Sequence, residues 1–173
     1  TGDLTHNGKK EEFRIVFDIL NTLKMPFYPT PGNKDGSIPL IESYPNNIAI
    51  SPNGKFVIYA VDLHHIRLVS LDSFSIHSKK GNFTKEKLNF LDDLLYKKPN
   101  FPTALFLHHP PFNVKTSVGN FFEYDKKESV NDFKEIISKH SQLVALFCGH
   151  VHRDYSTKIG DLYAHSVPPL AVD

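Results

Sequence analysis

The chain has 173 residues, of which 40% are hydrophobic and 23% charged, a composition ordinary for one globular domain. Lysine and arginine total 20 against 19 acidic residues, and the net charge of +1 gives no electrostatic reason to expect a nucleic-acid or membrane partner. The single cysteine, Cys148, excludes an intrachain disulfide, and we expect a cytoplasmic protein.

The first part of the chain predicts one helix, one short strand and two loops. Apolar residues at helical spacing predict an amphipathic helix over residues 11–23. Residues 27–31 are aromatic and limited by proline, which indicates a brief strand leading into the loop 32–36. A second loop, rich in proline, serine and asparagine, is expected as far as Gly54.

The middle of the chain predicts strands followed by a helix. Residues 56–61 and 66–71 are β-rich runs separated by a short segment, which predicts an antiparallel pair. Thr84 is expected to cap the next helix, and residues 104–107 to form a short buried strand.

The last third predicts a helix, a strand and a hairpin. Ser129 is expected to open the helix through a capping box, and residues 143–147 and 156–163 to form the strand and the closing hairpin. The order of all these elements predicts one layered α/β domain over residues 1–173.

Residues 112–128 form a stretch without clear periodicity, a length usually kept for functional loops. We expect this stretch to be a lid or pocket segment. Its Phe121 and Phe122 are expected to make core or lid contacts, with nucleobase stacking and a homodimer contact as the alternatives.

Four local clusters combine glycine or proline with metal-binding residue types. Each follows an apolar run or lies at the chain start, and an open α/β sheet places its ligands at such strand ends. The clusters are Gly2-Asp3-Leu4-Thr5-His6-Asn7-Gly8, Gly32-Asn33-Lys34-Asp35, His108-His109-Pro110-Pro111 and Gly149-His150-Val151-His152.

These residue types suit a centre that holds two divalent metals. Asp3 offers a carboxylate able to bridge the ions, and Asn33 offers an amide oxygen after a glycine that permits a tight turn. His150 and His152 stand two apart, so in an extended backbone both imidazoles share one face. A simpler interpretation of His108-His109 is a strand-end pair satisfied by backbone hydrogen bonds.

In this order, the four clusters resemble the motif series of the calcineurin-like metallophosphoesterases, D-x-H, G-D-x-x-x-x-G, G-N-H-D, H-H-P-P and G-H-x-H. The resemblance implies an αββα sandwich that here lacks its first strand. In the family, the D-x-H motif lies upstream of the residues matched by Gly2-Asp3 and completes one metal site. We therefore expect that site to be incomplete in this chain.

The resemblance also implies a role for each matched residue. Two divalent metals, manganese, iron or zinc, are expected. Asp3 would bridge them, and His152 would help hold the metal whose site is incomplete. The other metal would be held by Asn33, His108 and His150.

Lys34 and Asp35 are the catalytic candidates that the resemblance implies. Lys34 stands where the family has the histidine of G-N-H-D, which is credited with stabilising or protonating the leaving group. A lysine with an ordinary pKa of ~10.4 is a poorer proton donor near neutral pH.

Within the family, the chain looks most like the class III cyclic-nucleotide phosphodiesterases, through residues 71–73, 108–112 and 149–157. The resemblance implies hydrolysis of 3',5'-cAMP or another small phosphodiester by a metal-bound hydroxide. The rival hypothesis is a catalytically impaired calcineurin-like fold that acts as a binding or scaffold module.

Overall fold

The computed structural model describes residues 1–44, 54–62, 65–117 and 119–169. The helices of these residues are α1 Lys10–Leu20, α2 Ser37–Ser43, α3 Lys85–Tyr96 and α4 Lys127–Ser138. The strands are β1 Tyr59–Val61, β2 Arg67–Ser70, β3 Thr103–Leu107, β4 Val114–Thr116, β5 Gly119–Phe121, β6 Leu143–Cys148, β7 Tyr155–Ile159 and β8 Leu162–Ser166.

Six of the strands form one mixed sheet in the order β1-β2-β3-β6-β8-β7, and β4 pairs with β5 in a separate hairpin. The central strands β2, β3, β6 and β8 are parallel, whereas β1 and β7 run antiparallel at the two edges. The predicted α/β fold class is therefore confirmed. Because parallel strands end at the same edge, the segments that follow β3 and β6 lie side by side.

Helices cover both faces of the sheet. Neighbouring residues of β2 belong to different apolar clusters, Val69 to one and Leu68 to the other, since alternate side chains of a strand point to opposite faces. The larger cluster includes Leu91 of α3 and Phe133 of α4, and the smaller one includes Phe13 of α1.

Most of the predicted elements are present. The helix predicted over residues 11–23 is α1, which ends at Leu20, and β1 and β2 pair antiparallel as expected. Thr84 caps α3, its Oγ1 accepting a hydrogen bond from the Lys87 amide at 3.3 Å. The closing hairpin is β7–β8. Among the described helices, none is both long and apolar enough to cross a membrane.

Three local predictions were wrong. Residues 27–31 form no strand, because their prolines cannot donate to a ladder, and Pro29 instead accepts a hydrogen bond from the Tyr59 hydroxyl. Part of the predicted second loop is α2, held by the buried Leu40; residues 45–53 lie outside the described residues. Helix α4 begins before Ser129, whose hydroxyl donates to the Lys126 carbonyl.

A buried ion pair joins α3 to the segment after β2. The Lys87 ammonium lies 3.0 Å from an Asp72 carboxylate oxygen, and the Asp72 side chain is fully buried. Asp72 also accepts hydrogen bonds from the Ser37 hydroxyl and the Val57 and Phe74 amides. Asp72 therefore connects four segments, and its charge is compensated by Lys87.

We predict that Lys87→Met lowers the free energy of unfolding by about 3–5 kcal/mol, because the Asp72 carboxylate would stay buried without its cation. The matched control is Lys98→Met, since Lys98 is half exposed and pairs with Asp62 at 3.1 Å. Its expected loss is about 0–1 kcal/mol. Urea unfolding measures both, and equal losses would contradict the role given to the buried pair.

Candidate metal centre

The ends of β3 and β6 bring two histidine segments together. Leu107, the last residue of β3, pairs with Cys148, the last residue of β6. His108 and Gly149 follow directly, and the Gly149 amide donates to the His108 carbonyl at 3.1 Å. His108 and His150 therefore lie at one edge of the sheet.

Three atoms of candidate metal ligands surround one ring nitrogen of His108. Its Nε2 lies 2.8 Å from Asn33 Oδ1 and 3.0 Å from His150 Nδ1. Asp3 Oδ1 lies 3.5 Å from the same atom. The structure thus brings together four of the five predicted metal ligands.

The hydrogen-bond partners on the far side of each ring assign the tautomers. His108 Nδ1 lies 2.8 Å from the Thr1 carbonyl oxygen, so this nitrogen carries the proton and donates. His150 Nε2 lies 2.5 Å from a Glu123 carboxylate oxygen, so it donates as well. When both rings are neutral, the facing atoms, His108 Nε2 and His150 Nδ1, are each left with a lone pair.

Four electron-pair donors thus converge, and a divalent cation would stabilise this arrangement. Ligands bound at about 2.0–2.3 Å to one ion lie roughly 3–3.5 Å from each other. Burial lowers the pKa of His108 to about 4, which keeps its imidazole neutral at pH 7 and able to bind a metal. Mixed imidazole and oxygen donors suit manganese, iron or zinc.

Backbone strain is concentrated at the same residues. Asp3, His150 and His152 have φ values of 55°, 70° and 51°, in the left-handed region that non-glycine residues rarely adopt. Such strain often marks functional sites. The extended-backbone argument for His150 and His152 was therefore wrong, because both residues lie in a turn after β6.

His152 lies in the wall of a cleft of about 860 Å³, which Asp3, Lys34, His108 and His150 also line. Its side chain is exposed, unlike that of His108. The cleft therefore contains the fifth predicted ligand beside the four-donor cluster.

Asp35 joins the Asp3 segment to the Asn33 segment. Its side chain is almost fully buried. Its carboxylate accepts from the amides of Leu4, Thr5 and Gly32 at 3.1, 2.8 and 2.9 Å, and from the Thr5 hydroxyl at 2.9 Å. We call these four hydrogen bonds the Asp35 clamp. Participation of Asp35 in catalysis stays a prediction.

Lys34 and Gly32 contribute through the backbone. The Lys34 amide donates to Asp3 Oδ1 at 3.0 Å, while its side chain is exposed in the cleft wall. A Cβ on Gly32 would overlap the Asp3 amide and carboxylate. Gly32 is thus required by a close approach of the two segments.

His109 completes a histidine cluster but has other partners. Ligand nitrogens of His108, His109 and His150 lie within 4.8 Å of one another. The two ring nitrogens of His109, however, lie 3.0 Å from the Ser73 hydroxyl and 3.2 Å from the Lys79 carbonyl. Burial lowers the pKa of His109 to about 2, so its imidazole is neutral. We therefore assign His109 to the core.

Sequence reasoning missed Glu123. It lies in the predicted lid segment, between two aromatic residues and 27 residues before its partner His150. The sequence feature that could have indicated Glu123 is an acidic residue within an aromatic stretch. No local spacing, however, connects Glu123 to a histidine motif.

Comparisons with known proteins identify the family and the fold of the chain. The family model of the calcineurin-like phosphoesterases matches residues 1–154, and the chain therefore belongs to that family. It is 32% identical to the "Probable glycerophosphodiester phosphodiesterase GpdQ" of Arcobacter nitrofigilis over 91% of the chain and 56% of the relative. It is 26% identical to a 3',5'-cyclic-nucleotide phosphodiesterase of Nostoc over 90% of the chain and 55% of the relative. The chain thus spans about half the length of these relatives.

Solved structures share the fold. A dimetal phosphatase from Danio rerio superposes with a TM-score of 0.71 at 14% identity, covering 91% of this chain and 65% of that one. Purple acid phosphatase PPD1 from yellow lupin gives a TM-score of 0.70 at 14% identity, and the match covers 96% of this chain and 35% of that one.

We predict that Asp35→Asn weakens Mn²⁺ binding by roughly tenfold or more, because the Asp35 clamp would no longer fix two ligand segments. The unfolding free energy is expected to fall by about 1–3 kcal/mol through the lost hydrogen bonds. Asp161→Asn, in the exposed turn of β7–β8, serves as the control and should change neither quantity. Calorimetric titration measures the Mn²⁺ affinity. If Asp35→Asn binds Mn²⁺ as tightly as the wild type, the clamp does not place the ligands.

Proposed function

We propose that this chain carries the catalytic centre of a metal-dependent phosphodiesterase. The observation that carries the proposal is the convergence of Asp3, Asn33 and His150 on His108 Nε2. Membership of the calcineurin-like phosphoesterase family supports it, and the resemblance described from the sequence implies ligand roles for the same residues. The proposed reaction is hydrolysis of a phosphodiester bond.

The proposed ligand assignment uses two divalent cations. Asp3, Asn33, His108 and His150 would hold one of them, while Asp3 and His152 would contribute to the second site. When bound, such ions polarise phosphoryl oxygens and acidify water, which is the chemistry that phosphodiester hydrolysis requires.

The protein's own groups hold and orient the substrate. The exposed Lys34 ammonium can place positive charge beside a phosphoryl oxygen, because its side chain lines the same cleft as the ligands. Asp35 would act as a positioning residue through the clamp. His108 stays neutral through burial, so it offers a lone pair without competing for a proton.

The substrate class that we propose is a small phosphodiester, with 3',5'-cyclic nucleotides such as cAMP first and glycerophosphodiesters second. The named relatives support both classes, since they include phosphodiesterases of each kind. The resemblance of residues 149–157 to the cyclic-nucleotide branch favours the first. Parallel assays with cAMP and a glycerophosphodiester distinguish them.

We predict that the chain with Mn²⁺ hydrolyses the generic diester bis(p-nitrophenyl) phosphate, and that Asp3→Asn lowers kcat by roughly 100-fold or more. The expected loss exceeds the 10–100-fold typical of a residue that merely supports a ligand. Release of p-nitrophenolate measures the rate, with Asp161→Asn as the control. Metal binding without hydrolysis would favour a binding or scaffold module instead.

Lys34→His is expected to raise turnover of the same diester. An imidazole with a pKa of ~6.5 donates a proton to a leaving group near neutral pH better than an ammonium of ~10.4. Lys10→His, at the exposed start of α1, is the matched control and should leave kcat unchanged. Unchanged or lower turnover in Lys34→His would show that Lys34 is not a defective proton donor.

A further inference from the structure

The β4–β5 hairpin and the residues after it reach the metal centre through Glu123. A Glu123 carboxylate oxygen lies 2.5 Å from His150 Nε2, on the side of the ring opposite the ligand cluster. The hairpin also places the Phe121 ring against His150, with the centroids 5.6 Å apart. The outer face of this ligand is therefore formed by a segment distant in sequence from its own turn.

We propose that Glu123 is a positioning residue that fixes the tautomer of His150. A carboxylate that accepts from Nε2 keeps the proton on that nitrogen and leaves the Nδ1 lone pair on the side of the ring that faces His108. This inference rests on the proposed function, because it assigns Nδ1 as the metal-binding atom of His150.

The backbone around Glu123 is held in place. Its carbonyl accepts from the Gly81 amide at 2.9 Å, and the Asp125 amide donates to the Gly81 carbonyl at 3.0 Å. The Tyr124 hydroxyl donates to the His109 carbonyl at 2.8 Å, which ties the segment to the end of β3. The carboxylate therefore starts from a fixed point, and little freedom is lost when it meets His150.

The surroundings of His150 separate this role from that of an ordinary surface ion pair. Its ring packs against His109 and His108, with centroid distances of 4.5 and 4.8 Å. These ring contacts set the ring's location without Glu123. His108 Nε2, 3.0 Å from His150 Nδ1, can accept a proton from that atom, so Glu123 is the contact that favours protonation at Nε2. A partly exposed pair contributes little to stability, so the effect of Glu123 should fall on metal affinity.

A positioning role also makes metal binding and the docking of the hairpin segment interdependent. If the contact between Glu123 and His150 raises metal affinity by some factor, metal binding must strengthen that contact by the same factor. Mn²⁺ should therefore slow exchange of the Gly81 and Asp125 amides, whose hydrogen bonds hold this segment, in the wild-type chain.

The test compares Glu123→Ala, which removes the acceptor, with Glu123→Gln, which keeps an acceptor but loses the charge. Calorimetric titration with Mn²⁺ should show roughly 10–100-fold weaker binding for Glu123→Ala and a smaller loss for Glu123→Gln. Glu135→Gln, on the exposed face of α4, is the control and should bind like wild type. Without metal, the urea unfolding midpoints of all three variants should stay close to that of the wild type.

Side-chain ¹⁵N NMR of the metal-free chain provides the decisive readout. The wild type should show His150 protonated at Nε2, and Glu123→Ala should show a mixture of tautomers. An unchanged tautomer, or unchanged Mn²⁺ affinity in both variants, would overturn the inference. A wild-type chain that binds no Mn²⁺ overturns the proposed function instead, while the metal-free spectra still decide whether Glu123 fixes His150.

Discussion

Asp3, Asn33 and His150 each place an oxygen or nitrogen atom within 3.5 Å of His108 Nε2. When both histidines are neutral, these electron pairs repel one another in the absence of a cation. Several features of the fold act against this repulsion. The parallel pairing of β3 with β6 brings the two histidines together, and the Asp35 clamp does the same for the other two segments. Strained backbone at three of the five predicted ligands is a further cost of the arrangement.

Adjacent histidines at the end of β3 show how partners decide a role. Both rings are buried, and burial lowers the pKa of each. Both ring nitrogens of His109 contact protein groups outside the candidate ligand cluster. In His108, Nδ1 contacts the Thr1 carbonyl, whereas Nε2 faces the other candidate ligands. The same residue type thus serves the core in one position and the candidate site in the next.

Much of the fold and the ligand set could be predicted from the sequence, because strand ends and metal-binding residue types are local signals. The turn conformation of His150 and His152 could not, since it depends on how the segment after β6 packs. Glu123 was missed for the same reason: its contact crosses 27 residues and exists only once the hairpin segment docks. The helix α2 was hidden in a stretch whose proline, serine and asparagine content suggested a loop.

The most direct test of the account is the position of Mn²⁺ in crystals of this chain, located by anomalous diffraction. The account predicts an ion within about 2.0–2.3 Å of His108 Nε2, His150 Nδ1, Asn33 Oδ1 and an Asp3 carboxylate oxygen. An ion bound instead through His109, or no ion between these donors at saturating Mn²⁺, would contradict it.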